Sequence, residues 1–269
     1  MLNIGGLVKY PRGNGGLMLN QYRIMAHESN PLNREKKRTV IATILRNLGA
    51  PFSGAKMVIA GSGLQYTPIS LESYANVFLT SEQGWPDRKH DLSALPLGRQ
   101  TFRSVPYEIR DFTTSPLESG VTLAHDRLKS NAQKEKVTIE IGRQADALFF
   151  LHTFHQRRTW RPGRREPEPP VVFEYVVHYA SGGQQVVPIR LQRGVENFVQ
   201  EQPEPLPNAA VAWQTSSADE KKVAVYQYQW NNPRPDQTIQ SVVLRYSDEH
   251  GSAYGAPVLL GLTAANRMQ

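Results

Sequence analysis

The sequence predicts a mainly β protein, built as a two-sheet antiparallel β-sandwich of eight or nine strands and preceded by a short α/β extension. Three observations lead there. From Lys56 onward, short segments alternate apolar and polar residues with the period of two that suits a half-buried strand. No helix of crossover length separates the later segments, which disfavours a parallel α/β arrangement. The 20 glycines and 19 prolines interrupt the chain often enough to supply many turns.

Residues 1–50 read as the α/β extension. Gly13, Gly15 and Gly16 precede LMLNQY, a strand candidate, and Asn33 is placed to cap a helix that runs to about Leu48 and stops at Gly49. Val40, Ile41, Ile44, Leu45 and Leu48 form its apolar stripe. A lone strand and helix leave apolar surface exposed unless docked on something.

Residues 51–269 read as the sandwich. MVIA, GVTLA, VTIEI, ALFFLHTF, VFEYVVHYA, QQVVPIRL, VAVYQYQW, IQSVVLRYS and APVLLGLTA are its successive strand candidates. In VTIEI, Val137, Ile139 and Ile141 alternate with Thr138 and Glu140. Phe173, Tyr175, Val177 and Tyr179 share one face, and the SGG at 181–183 makes a hairpin turn into QQVVPIRL. Gly142 is expected at a turn that Asp146 ties down, and Asn231 and Asn232 before Pro233 specify another. The stretch from Tyr66 to Thr122 is less regular and is expected to wrap the sandwich as loops and short strands. ALFFLHTF reads as a core strand leading into the basic loop HQRRTWRPGRREPEPP.

The formal charge of +7 favours polyanionic partners, but much of it is local, since Arg157, Arg158, Arg161, Arg164 and Arg165 lie close together. A solvated loop is the ordinary reading of such a run, with nucleic-acid or acidic-glycan contact as the alternatives. The absence of cysteine excludes thiol catalysis, disulfides and cysteine-ligated zinc. The opening residues lack a secretory leader, and no run reaches the roughly 20 apolar residues that cross a bilayer. The expectation is therefore a protein that acts away from the membrane, cytoplasmic as written, and extracellular or periplasmic if an upstream segment carries an export signal.

Several stretches together resemble a known arrangement. GNGGLMLNQYRI and NREKKRTVIATILRNLGA resemble the last strand and helix of the amidotransferase-like or trimerisation-like domain of multidomain bacterial glycoside hydrolases. YTPISLESYANV, DLSALPLGRQTFRSVPYEIRD, IEIGRQADALFFLHTF, YVVHYASGGQQVVPIRL and YQYQWNNPRPDQTIQSVVL resemble the C-terminal β-sandwich appended to those enzymes, of the jelly-roll, galactose-binding-like type. The resemblance covers nearly the whole chain. It implies a carbohydrate-associated module beside polysaccharide-degrading enzymes, acting as part of a larger ancestral enzyme or as a separately encoded accessory subunit. The catalytic barrel is not in this sequence, so its activity is not carried over.

The candidate chemistry is consistent with binding. Trp85 in QGWPD, Trp160 in RRTWRPG and Tyr254 in SAYGAP fall in expected loops, where an exposed ring covers the apolar face of a sugar; each has a competing use as a lid over the core. His152, His155 and Arg158 supply polar contacts, although His152 reads first as a structural histidine at a sheet edge. A zinc site lacks a third ligand. Trp213 and Trp230 read as core residues, and His178 as locally satisfied.

Glycosidase chemistry requires paired carboxylates. Glu108 and Asp111, which flank Arg110 in PYEIRDF, are the candidates, with an arginine network that pins a turn as the stronger reading. Asp87 and Asp91 fit loop capping as well as a structural calcium site, and the resemblance admits calcium in such sandwiches. The expected function is therefore a non-catalytic module that binds a polysaccharide or oligosaccharide. The alternatives are a structural subunit packing against a glycoside hydrolase partner chain or forming a homo-oligomer, then a glycosidase in its own right, with nucleic-acid binding ranked last.

Overall fold

The computed structural model describes residues 7–12, 15–20, 60, 61, 63–111, 118–125, 135–161, 168–217 and 219–268. The chain divides into two compact units, Met1–Phe52 and Ser53–Gln269. In the first, β1 (Leu7–Arg12) and β2 (Gly15–Asn20) pair as an antiparallel hairpin. The strand expected over LMLNQY thus appears as β2, with a partner that sequence reasoning did not supply. The helix expected from Asn33 to Leu48 lies outside the described residues, as does most of MVIA.

The second unit is mainly β. Its strands are β3 (Leu64–Ile69), β4 (Gly98–Phe102), β5 (Val105–Ile109), β6 (Val121–Thr122), β7 (Lys136–Arg143), β8 (Ala147–Gln156), β9 (Val171–Tyr179) and β10 (Gln184–Arg190), followed by β11 (Val199–Gln200), β12 (Ala209–Ser216), β13 (Lys222–Asn231), β14 (Ile239–Tyr246) and β15 (Gly255–Arg267). One sheet has the order β10-β9-β14-β7. A larger one follows the path β11-β13-β8-β15-β3, with β12 on β13 and β6 on β15, and β4 and β5 form a separate hairpin. Every pairing between these strands is antiparallel.

The uninterrupted apolar run of β8 follows from its position between two strands in the larger sheet, with both of its faces covered. Leu148, Phe150 and Phe154 point into a core shared with Val137, Ile139, Phe173, Tyr175, Val177, Val242 and Leu244 of the four-stranded sheet. Across that core the rings of Phe150 and Tyr175 stack with centroids 3.9 Å apart. Ala147, Phe149 and Leu151 point the other way, into a second core closed by Phe102, Val105, Tyr107 and Ile109 of the β4–β5 hairpin. Val77, Leu79, Trp85, Leu92 and Leu95, from the irregular stretch, complete that cover. The expected wrapping of residues 66–122 around the sheet thus has a defined purpose: it desolvates a face that would otherwise be open to water.

Polar groups tie the hairpin to the sheet it covers. The Tyr107 hydroxyl donates to Gln227 Oε1 at 3.1 Å, and the Thr263 hydroxyl donates to the Pro106 carbonyl at 2.6 Å. Gly261 lies so close to the Tyr107 ring that an added Cβ would meet Cδ1 at 2.9 Å.

The β4–β5 turn is strained. Its two central residues, Arg103 and Ser104, have φ of 48° and 67°, a region that asparagine and glycine occupy more readily. Replacing Ser104→Gly is expected to stabilise the protein by about 1 kcal/mol, because the left-handed conformation costs an L-residue roughly that much. Chemical denaturation checks this, and an unchanged or lowered midpoint would count against the strain.

Candidate functional site

The end of β8 opens into a cleft of about 680 Å3, lined by Pro86, Asp87, Arg88, His90, His155, Gln156, Asn197, Phe198, Val199, Gln200, Glu201 and Lys221. Three segments build it. The first is the loop between Leu79 and Leu92, which closes on itself through the Leu92 N–H donating to the Leu79 carbonyl at 2.9 Å. Within it Gln83, Gly84 and Trp85 all donate backbone N–H groups to the Thr80 carbonyl. The second segment, Asn197–Glu201, is held against β8: Phe198 N–H donates to the Phe154 carbonyl, and Gln156 N–H donates to Asn197 Oδ1. The Gln200 amide donates to the Asn197 carbonyl and to the Tyr226 hydroxyl, both at 2.7 Å. The third is the turn before β13, which contributes Lys221.

His90 joins the first segment to the third. Its Nδ1 lies 2.9 Å from Asp87 Oδ2, and its Nε2 lies 2.9 Å from Asp219 Oδ1. Burial opposes charge on this ring, but hydrogen bonds from Asp219 and Asp87 outweigh it and hold the imidazole pKa above 6.5. Asp87 feels a desolvation penalty of its own, overcome by His90 and by the backbone N–H of Lys89, so its carboxyl stays below 3.8. Asp219 is held lower still, first by the Ser217 hydroxyl and then by His90. A carboxylate oxygen thus stands 2.9 Å from each ring nitrogen, an arrangement that clamps the two segments together and favours the protonated ring.

Asp91 has a different task. Its carboxylate accepts from the N–H of Ser81 at 2.8 Å and from the N–H and hydroxyl of Ser93. Both Asp87 and Asp91 therefore serve as loop caps, one of the two uses the sequence allowed. Among the described residues, no group of three or more His, Asp or Glu side chains converges as a metal site. Glu196 is partly buried beside the cleft segment; burial raises its pKa, opposed by the Asn197 N–H.

Glu108 and Asp111 line a second cleft of about 580 Å3 together with Glu72, Arg99 and Arg110. Arg110 donates to the Glu72 and Glu118 carbonyls at 3.1 and 3.0 Å, and lies 3.6 Å from the Glu72 carboxylate. An arginine that pins its surroundings is thus present in PYEIRDF.

The aromatic candidates take the second of the two uses the sequence allowed, as lids over the core. Trp85 is 2% exposed, wedged edge-on against Phe198 and His155, and Trp160 is 6% exposed, folded back onto the core between the sheets. Tyr254 is equally buried in that core, with the Arg158 guanidinium 5.4 Å from its ring centroid. Their burial has a common cause: each ring covers apolar side chains that the loop backbone alone would leave wet. None of the three offers a free face to a sugar.

His152 is fully buried, with Nε2 donating to the Gly194 carbonyl and Nδ1 accepting from the Tyr175 hydroxyl, both at 2.9 Å. Burial pushes its pKa down to about 4, so the ring is neutral. Of the residues singled out as ligand contacts, His155 lines the cleft. Arg88, Asn197, Gln200, Glu201 and Lys221 were not singled out; the polar run ENFVQEQ holds Asn197, Gln200 and Glu201, whereas Arg88 and Lys221 stand in ordinary charged loops. Comparison with protein-family models, with curated proteins and with solved structures finds no match.

The two buried histidines give opposite pH dependences. His90, whose folded pKa is raised, stabilises fully below 6.5, and its contribution is lost as pH rises through the folded value. The carboxylates beside it carry theirs above 3.8 and lose it on further acidification. His90→Ala is expected to cost about 1–3 kcal/mol in weakly acidic solution and less in alkaline solution. A loss independent of pH in denaturation experiments would argue against the charged clamp.

His152, lowered to about 4, stabilises above 6.5 and destabilises increasingly as pH falls from there. Its contribution over that interval is about 3 kcal/mol. His152→Gln is expected to flatten the fall in stability through this range by roughly one proton's worth of slope; an unchanged slope would place the charge elsewhere.

Proposed function

We propose that the chain is a non-catalytic, carbohydrate-binding accessory module of polysaccharide degradation, and that its second unit is a jelly-roll sandwich of the galactose-binding-like type. Strand order supports the fold reading. Apart from β12, which lies against β13, and the two-residue β6 and β11, the strands of the two sheets fall into four antiparallel pairs, β3 with β15, β7 with β14, β8 with β13, and β9 with β10. They divide between sheets as β3-β15-β8-β13 and β7-β14-β9-β10. Chain wound as four paired ribbons around two facing sheets is the pattern of a jelly roll.

The observation that carries the functional reading is the polar cleft at the end of β8. Gln156 and Gln200 contribute amide carbonyl oxygens and Glu201 a carboxylate, acceptors that suit hydroxyl-rich ligands. Binding is favoured over bond cleavage because His90 has both nitrogens engaged by carboxylates. The resemblance of the strand segments to sandwiches appended to bacterial glycoside hydrolases supplies the ligand class.

Affinity electrophoresis against galactans and plant polysaccharides, with calorimetry on oligosaccharide fragments, tests the proposal. Retention by at least one glycan is expected. Glu201→Ala, at an exposed position, is expected to weaken it about tenfold by removing a charge-assisted hydrogen bond while leaving the melting temperature in place. Absence of retention across the panel would overturn the proposal.

A further inference from the structure

We infer that the glycan recognised in this cleft is acidic, carrying carboxylate or sulfate groups that Arg88 and Lys221 engage. The inference rests on the carbohydrate reading above and specifies its ligand. It begins with what the cleft lacks. Recognition of a neutral sugar in water depends on apolar burial against an aromatic face, because its hydroxyls only exchange water partners for protein ones, for about 0.5–1.5 kcal/mol per bond. Trp85, Trp160 and Tyr254 are buried, and the lining Phe198 is buried as well. Affinity must then come from charge-assisted bonds, which are about twice as strong.

The charges are arranged accordingly. Asp87 and Asp219 are committed to His90. Among the described residues Arg88 and Lys221 form no ion pair, and both are exposed on the cleft wall. Glu201 is the one lining carboxylate outside the clamp, and it is left to accept from sugar hydroxyls. The clamp also explains why two cations from distant parts of the sequence share one wall. Arg88 lies between Asp87 and His90, and Lys221 follows Asp219 by two residues. The 2.9 Å contact from His90 to Asp219 therefore fixes both basic side chains to one small region. The chain's net charge of +7 adds a long-range attraction for such a ligand.

The test compares galactan with polygalacturonate and carrageenan in affinity electrophoresis, at low and at physiological salt. Retention by polygalacturonate, by carrageenan or by both, weakening with salt and exceeding retention by galactan, is expected; which of the two binds identifies carboxylate or sulfate as the group recognised. The double variant Arg88→Ala with Lys221→Ala is expected to lose roughly tenfold or more in affinity while melting near the parent temperature. A charge-matched control, Lys136→Ala with Arg143→Ala on the distant β7, is expected to retain it.

Equal losses in the two double variants would reduce the effect to nonspecific attraction and overturn the inference. Retention by galactan alone would overturn the acidic ligand and leave the carbohydrate reading standing, whereas retention by no glycan would overturn both. Tighter retention by single-stranded RNA than by either acidic glycan, lost in the cleft variant, would assign the cations to nucleic acid and overturn the inference.

Discussion

A strand whose alternate side chains are all apolar must be covered twice, and the rest of the second unit follows from meeting that demand for β8. Leu148, Phe150 and Phe154 need one layer, and Phe149 and Leu151 need another. The four-stranded sheet supplies the first. The β4–β5 hairpin and the loop from Val77 to Leu95 supply the second. Because that loop must lay Leu79, Trp85 and Leu92 on the sheet, it also brings Asp87, Arg88 and His90 to the mouth where β8 leaves the core. The cleft is thus a by-product of desolvation: the face that cannot stay wet dictates where the polar side chains of its cover end up.

Inside the layers, several buried polar groups have specific partners. His152 bridges Tyr175 of the facing sheet and the Gly194 carbonyl. Asn232 accepts from the Tyr179 hydroxyl and the Arg234 N–H while donating to the Ala145 carbonyl. Thr122 donates its hydroxyl to the Pro257 carbonyl. A buried polar group left unpaired costs more than a made bond contributes, so these contacts discriminate against wrong registers more than they add stability. A one-residue slip of β8 would turn His152 toward the hairpin, away from Tyr175, and would reverse every apolar side chain on the strand.

Much of this was readable in the sequence where periodicity is strong. The alternation of VTIEI and the shared face of Phe173, Tyr175, Val177 and Tyr179 identify β7 and β9 because each strand presents one clear apolar face to the core. The hairpin at SGG followed from Gly182, whose φ is 91°. β12 is harder to read: Ala209–Ser216 is built mostly of small or polar residues, lies at the sheet margin on β13, and carries a register shift between Val211 and Trp213. Edge position weakens the pattern that burial imposes on a central strand. The aromatic loop residues left two uses open for a related reason. Flanking prolines and arginines mark a loop, but they do not report whether the ring between them turns outward or back onto the core, as Trp160 does. The cleft itself depends on contacts such as His90 with Asp219, 129 residues apart, which no local pattern encodes.

The two histidines show why residue type alone carries so little functional information. His152 and His90 are both buried, yet their pKa values move in opposite directions, because the first faces a hydroxyl and a carbonyl while the second faces two carboxylates. Desolvation acts in the same direction on both rings, and the partners decide the outcome. For His152 the result is a sheet-to-sheet tie whose neutrality suits a dry core. For His90 it is a hinge pin between a covering loop and the turn before β13, placed where burial of the ring still leaves Asp219 open to solvent. Such a pin holds the covering loop and the turn in one arrangement. The same need to keep β8 dry that produced the loop therefore also produced a preorganised polar wall at its edge.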